Sequence, residues 1–404
     1  MSAALLNETW TGSNVNAPFA QNLEPRRFPY PYRAMLAICS DLDETPDRAA
    51  YAAQMRFLNT RAMTSMGEGA GLEVGNTIYF DMPPNQFAYW NTDDRGREMV
   101  RALIASGHVD CLHSFGDLAT TRAHAGRALD ELAKHDLSVK VWIDHAVAPT
   151  NFGADIMQGH GDETGHSAYH ADLTLAHGVR YVWRGRVTSL IGQDGAGRSR
   201  CHPRASFRTV AKESAKQFLG AVGKKKYAPH ATNRLCAPAP LRDGQHVVEF
   251  LRANPHPRGV DFGDTGAAIS EVLTAEFLDQ LVERQGFCLL YTHLGKCAGG
   301  KFDRAAVDAF RLLAAYQQTG KILITTTARL LDYHTALQPF TQDERAWDAD
   351  VNAPGLTFYL SPAVLPNSQV EMLAARGWMK NPADFTGRES ISRQWEPLAF
   401  PEIN

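Results

Sequence analysis

The 404-residue sequence has neither a large excess of charge nor an apolar run long enough to cross a membrane. Its 41 Lys and Arg residues nearly balance its 44 Asp and Glu residues, and the formal net charge is −3. Nucleic acids and anionic membranes usually bind strongly basic surfaces, and a membrane-spanning helix needs about 20 apolar residues. We therefore expect neither nucleic acid nor a membrane as a partner.

Cysteine is also scarce, and its six copies include no CxxC pair. The redox and zinc sites that depend on such pairs are therefore not expected. The first residues, MSAALLNETWTGSN, lack the basic region and long apolar stretch of a secretory signal. These absences predict a reduced, cytoplasmic protein.

The sequence does contain a regular alternation of strand-like and helix-like segments, without repeats. Strand-like runs include AMLAICSD, HVDCLHS, SVKVWID, VRYVWRG and GFCLLYTH, and amphipathic helical segments stand between them. Such alternation predicts an α/β fold of parallel βα units, either an open sheet or a barrel. We expect an N-terminal arm at 1–29, a barrel at 30–335 with an insertion near 186–262, and a C-terminal appendage at 336–404.

Polar side chains follow five of the predicted strands. Because active sites of parallel α/β folds lie at the carboxyl ends of the strands, these residues predict a catalytic mouth. They are Asp41 and Asp43, His113, Asp144 and His145, Trp183 and Arg184, and His293.

The stretch LAICSDLDETPD places Asp41 and Asp43 one residue apart at the end of the first buried strand. Two carboxylates on one face of a strand resist joint ionisation unless a cation or a donor lies between them. Metal binding or acid–base catalysis would supply that group. Solvated aspartates that cap the next helix are the structural alternative.

Two histidines also follow strands. His113 and Asp117 lie four residues apart in LHSFGD, and imidazole with carboxylate suits a divalent ion. His293, in YTHLGK, has a side chain that can act as a general acid near neutral pH. A helix N-cap for Asp117 and buried structural histidines remain the alternatives.

Taken together, these motifs resemble the polysaccharide deacetylases, a family of metal-dependent carbohydrate esterases that includes chitooligosaccharide deacetylases. The resemblance covers about residues 34–335. SDLD resembles the family's first aspartate motif, VRALIASGHVDCLHSFGD its helix and histidine motif, and CLLYTH its late LLLH motif. The resemblance implies a distorted (β/α)7 barrel of the glycoside hydrolase/deacetylase type.

By the same resemblance, the function implied is hydrolysis of an acetyl or other N-acyl group on a carbohydrate or related small amide. Asp41 would be the base and His293 the acid. Asp43, His113 and Asp117 would hold a divalent metal that binds the attacking water. Zinc is the metal expected first, with manganese, cobalt or nickel as alternatives.

The sequence departs from the family at two points. Asp117 stands where the family has a second metal histidine, and WIDHAVAPTNFG lacks the arginine motif that orients the base. Arg184 or Arg186 could supply the missing charge, and Asp144 or His145 could join the metal ligands or the acid–base pair. The residues expected to contact the substrate are Asp144, His145, Asn151, Trp183 and Arg184.

Two other functions are compatible with the sequence. SDLDET also fits the Asp-x-Asp-x-Thr loop of haloacid dehalogenase-like phosphatases, which would make Asp41 a nucleophile and Asp43 an acid–base group beside Mg²⁺. That alternative leaves both histidines without a role. A catalytically degenerate carbohydrate-binding relative is the second alternative. Self-association into a homo-oligomer is left open.

Overall fold

The structure is a computed structural model that describes most of the chain. The described residues are 24–41, 45–198, 200–342, 353–360, 371, 374–375 and 377–403. Asp43, one of the predicted metal ligands, lies outside them.

The chain divides into two compact units. The smaller comprises Met1–Arg33 with Leu331–Pro397, and the larger comprises Ala34–Leu330 with Leu398–Asn404. All of the described residues in the predicted site belong to the larger unit.

The larger unit contains short strands and amphipathic helices in alternation. Its strands, numbered with those of the whole chain, are β2 (Ala34–Ser40), β3 (Met63–Thr64), β4 (Gly67–Glu68), β5 (Asn76–Ile78), β6 (Val109–His113), β7 (Val141–Ile143), β8 (Tyr181–Trp183), β9 (Val187–Thr188), β10 (Cys236–Pro240), β11 (His246–Phe250), β12 (Arg252–Ala253), β13 (Phe287–Thr292) and β14 (Ile322–Ile324). Its helices are α1 (Arg48–Asn59), α2 (Asp94–Ala105), α3 (Arg122–Lys134), α4 (Ala171–Ala176), α5 (Phe207–Ala221), α6 (Ala275–Arg284) and α7 (Arg304–Gln318).

The smaller unit contains a four-stranded antiparallel sheet in the order β1-β15-β17-β16. These strands are β1 (Glu24–Arg26), β15 (Thr357–Tyr359), β16 (Trp378–Asn381) and β17 (Ser390–Arg393). Helix α8 (Thr327–Gln342) follows β14 along the chain.

The main sheet runs in the order β10-β11-β8-β7-β6-β5-β2-β13-β12-β9, and β14 also pairs with β2. All of these pairs are parallel except the β10–β11 hairpin. The sheet is curled, so the fold is mixed α/β and barrel-like, as the sequence predicts at that level.

Both faces of the sheet are buried at β2. This explains why the strand is almost entirely apolar instead of alternating between apolar and polar residues. Every residue of AMLAICS in β2 is buried. Helices begin where short polar side chains cap them, and α1 starts after Pro46 with Asp47 accepting from the Ala50 amide. Aspartate also caps α2 through Asp93 and α7 through Asp303.

The stretch predicted as an insertion, 186–262, contributes strands to the main sheet. It contains β9, β10, β11 and β12, and β11 extends the parallel order beyond β8. Its composition is rich in Gly, Arg and Lys because most of it forms loops and the exposed helix α5.

No helix in the described part of the chain is long and apolar enough to cross a membrane.

Candidate active site

Asp41 lies at the centre of the candidate site because of the register between two neighbouring parallel strands. Ser40, the last residue of β2, pairs with Thr292, the last residue of β13. The residues that follow, Asp41 and His293, therefore leave the sheet side by side. The Asp41 side chain is almost fully buried, and its Oδ2 lies 3.4 Å from His293 Nε2.

A buried arginine that the sequence analysis did not select contacts Asp41. Arg252 is the first residue of β12, and its Nη2 donates to the Cys39 carbonyl and to Asp41 Oδ1, the latter at 3.3 Å. Its guanidinium lies 4.5 Å from the ring centroids of both Trp183 and Tyr291. These aromatic faces stabilise a cation that has left water.

The electrostatics of Asp41 follow from these neighbours. Burial alone would raise the pKa of the carboxyl, but the positive charge of Arg252, assisted by His113, His293 and His145, outweighs it. The pKa of Asp41 is lowered to about 2. A carboxylate held ionised and in contact with a histidine can accept a proton at any physiological pH.

His293 is oriented by Asp264. The Nδ1 of His293 lies 3.1 Å from the Asp264 carbonyl oxygen and 3.4 Å from its carboxylate Oδ2. The hydrogen bond from His293 lowers the pKa of Asp264. Fixing Nδ1 in this way points Nε2 towards Asp41 and the Tyr291 hydroxyl, which is 3.3 Å away. Asp264 was also missed in the sequence, where it stands in a loop.

His113 and His145 form a second group beside Asp41. His113 Nε2 lies 4.0 Å from Asp41 Oδ2, and the rings of His113 and His145 are 4.7 Å apart between centroids. Tyr79 stacks on His113 at 4.4 Å. The described hydrogen bond of Asp117 is with His145 rather than with His113. Its Oδ1 accepts from His145 Nδ1 at 2.8 Å. That hydrogen bond lowers the pKa of Asp117.

The chain turns sharply after His113 through three consecutive residues with positive φ. These residues are Ser114 (51°), Phe115 (64°) and Gly116 (100°). Non-glycine residues with this backbone conformation are strained, and such strain concentrates at functional sites. The turn brings the Phe115 carbonyl to the Asp81 amide at 2.8 Å and carries Asp117 towards His145.

Replacement of Gly116 by Ala should destabilise the protein by about 2 kcal/mol or more, because the new Cβ would meet the Asp81 backbone at an unfavourable φ. Gly126→Ala is the matched control. It lies inside α3 with nothing within 4 Å of an added Cβ, and should stabilise by about 0.5–1 kcal/mol. Urea unfolding measures both changes, and equal effects would contradict the assignment of strain.

Two of the predicted substrate contacts hold the loop that carries His145. Asp144 is fully buried, and its carboxylate accepts from Trp142 Nε1 and from the amides of Phe152 and Gly153. Asn151 is fully buried as well and hydrogen-bonds both the amide and the carbonyl of His145. Their described contacts are therefore with the protein itself, and they position His145.

Two more of the predicted substrate contacts lie at the end of β8, where Trp183 is the last residue of the strand and Arg184 follows it. Trp183 is buried, stacks on Arg252 and lines a cavity next to Tyr291. Arg184 donates to Glu249 at 2.6 Å, and Arg186 donates to the same carboxylate. Neither arginine contacts Asp41. The positive charge that they were expected to supply comes from Arg252 instead.

Arg252 could have been found in the sequence by the same pattern, a polar residue directly after an apolar run. The apolar run VVEFL precedes it directly, as apolar runs precede Asp41, His113 and His293. It was overlooked because the run lies within the stretch predicted as an insertion.

The donors around His113 fit a divalent metal ion in their chemistry. Two imidazoles lie together beside a carboxylate, and the Asp117 contact to His145 Nδ1 leaves the Nε2 lone pair of that ring as the metal-binding one. Among the described residues, however, no three His, Cys, Asp or Glu side chains are already arranged as a metal site.

With this geometry established, the chain was compared with known proteins. Models of protein families, curated proteins and solved structures each gave no match.

Proposed function

We propose that the protein is a metal-dependent hydrolase that removes an acetyl or other acyl group from the nitrogen of a carbohydrate or related small amide. The observation that carries this proposal is the contact between Asp41 and His293 at adjacent strand ends. A carboxylate of lowered pKa beside a histidine held by a second carboxylate supplies a base and an acid at one point.

In this mechanism, Asp41 takes a proton from the attacking water, and Arg252 keeps Asp41 ionised and fixed in place. His293 gives a proton from Nε2 to the leaving nitrogen, while Asp264 holds its Nδ1. A divalent ion, with zinc preferred, would polarise the acyl carbonyl. Trp183 and Tyr291 pack against the Arg252 guanidinium and so help to hold it beside Asp41.

The ion would be held by His113 and His145, with Asp117 supporting His145 from behind. Asp43 is the further ligand that the sequence predicts. In this assignment Asp117 supports a metal ligand, whereas the sequence predicts that it binds the metal directly. A metal-binding experiment can distinguish these two roles. The site belongs to a (β/α)7 barrel of the deacetylase type in this proposal.

Release of acid from a panel of N-acyl sugars and simple amides tests the proposal. We expect turnover with zinc, manganese or cobalt, and its loss on chelation.

His113→Ala should lose the bound metal, and an unchanged metal content by elemental analysis would remove His113 from the ligands. Asp117→Asn should lower metal affinity about 10- to 100-fold, the loss typical of a supporting residue. His124→Ala, in α3, is the control histidine.

A further inference from the structure

Two adjoining cavities lie beside the candidate active site. The smaller, of about 450 Å³, is lined by Trp183, Tyr291 and Asp264, which are the neighbours of Arg252 and His293. The larger, of about 780 Å³, extends along β10, the edge strand of the main sheet. Arg186 lines both. The two cavities therefore share Arg186 as a wall residue, and the smaller one reaches Asp264, the partner of His293.

Unpaired positive charge lines these cavities. Lys225 and Arg234 line the larger cavity and Lys226 the smaller. All three are exposed, and none forms an ion pair with a residue in the described ranges. Within those ranges, Asp261 is the one acidic lining residue that lacks a basic partner or a histidine contact.

The wall of the smaller cavity also contains a buried polar atom that needs a partner. His230 is only 4% exposed, and its Nδ1 makes no hydrogen bond to any described residue. Burial, together with the charges of Lys216 and Arg186, lowers the pKa of His230 to about 3, so the ring is neutral. A neutral ring can hydrogen-bond a ligand oxygen through a protonated nitrogen.

The lysines come from GKKKY, a run whose composition alone predicts an ordinary solvated loop. In the structure, the end of this run lies at the cavities. Tyr227 and His230 line the smaller cavity together with Lys226. Most of the larger cavity is apolar, with Leu235, Ala237 and Leu251 among its lining residues. The combination suits a small molecule with a compact body and an acidic group.

We propose that the substrate carries an anionic substituent, a carboxylate, phosphate or sulfate, that binds in these cavities against Lys225, Lys226 and Arg234. The proposal rests on the hydrolase function proposed above and narrows its substrate to acidic N-acylated compounds. A neutral polysaccharide would offer these three basic side chains no opposite charge.

A matched pair of probes tests the proposal: N-acetylglucosamine and its 6-phosphate, followed by calorimetry and by acetate release. We expect the full-length protein to bind the phosphate ester at least about tenfold more tightly, as charge-assisted contacts predict. A triple variant with Lys225→Ala, Lys226→Ala and Arg234→Ala should lose that preference. N-acetylmuramic acid and a sugar sulfate then distinguish the acidic groups.

The control triple variant carries Arg208→Ala, Lys212→Ala and Lys224→Ala, which remove the same charge from exposed positions that do not line the cavities. It should keep the preference. Equal binding of both probes, no binding of either, or an unchanged preference in the first triple variant would overturn the proposal. Anion binding without acid release from any compound of the N-acyl panel would uphold the cavity and reject the hydrolase function. Acetate release without a preference for the phosphate ester would uphold the hydrolase function and reject the anion-binding role of the cavities.

Discussion

Asp41→Asn is expected to lower kcat/KM for acyl release by about a thousandfold, because the change removes the proton acceptor and retains its shape. Metal binding through His113 and His145 should persist, since neither side chain is altered. Initial rates on the best substrate from the panel measure the effect, and near-normal turnover would reject Asp41 as the base.

The same substitution should also destabilise the protein, because the buried Arg252 loses its carboxylate partner. Removing one member of a buried ion pair typically costs about 3–5 kcal/mol. Adding Arg252→Met to Asp41→Asn should recover part of that stability, since neither charge is then left buried. Activity should not recover, and this difference separates a lost catalytic group from a poorly folded protein.

Asp110→Asn is the matched control for Asp41→Asn. Asp110 is another buried carboxylate, on β6, and it accepts from the Ala328 amide rather than facing His293. Burial raises its pKa to about 6. The control should change stability while leaving turnover close to that of the wild type. A loss of turnover as large as that of Asp41→Asn would mean that the effect is not specific to the site.

Arg252→Met is expected to change the pH dependence of both activity and stability. Without the guanidinium, burial dominates at Asp41, so the pKa of its carboxyl rises from about 2. The base is then protonated at a higher pH, and the acid limb of the kcat/KM profile should move up by at least about one unit. A profile that superimposes on the wild type would reject the role of Arg252.

The sign of the stability effect follows from the lowered pKa. In the folded wild type, the pKa of Asp41 lies below its ordinary value of 3.8, so ionised Asp41 stabilises the protein above that value. This contribution, about 2 kcal/mol, is lost as the pH falls from about 4 to about 2. In Arg252→Met it should be absent, as urea unfolding at several pH values would show.

Arg252→Lys provides a conservative comparison. Lysine retains the charge but lacks the planar group that lies against Trp183 and Tyr291. It should restore part of the wild-type pH profile and less of the stability. A purely structural role for Arg252 would predict recovery of stability without recovery of the pH profile.

Local sequence was sufficient to locate the strands β2, β6, β7, β8 and β13 and most of the polar residues at their ends. The run AMLAICS predicts a buried strand, and β2 is buried at every position. Asp41 and His293 directly follow their strands, and His113 is the last residue of its own. The local pattern is informative here because each of these side chains is placed by its own strand.

Partners across the site were less accessible to the sequence. Asp117 was predicted to face the metal with His113, yet its described contact is with His145, 28 residues later. Asp144 and Asn151 were expected at the substrate but hold the His145 loop from inside. Side chains in loops are oriented by tertiary contacts, so spacing along the chain says little about where they point.

From sequence pattern alone one can predict the mixed α/β fold and the histidines and carboxylates at the ends of its strands. The reason is that hydrophobic periodicity and the alternation of strand-like and helix-like segments are properties of neighbouring residues. Only the tertiary structure showed that Arg252 reaches Asp41 across 211 positions of sequence and that Asp264 supports His293. Those contacts depend on the order of strands in the sheet, which non-local packing sets.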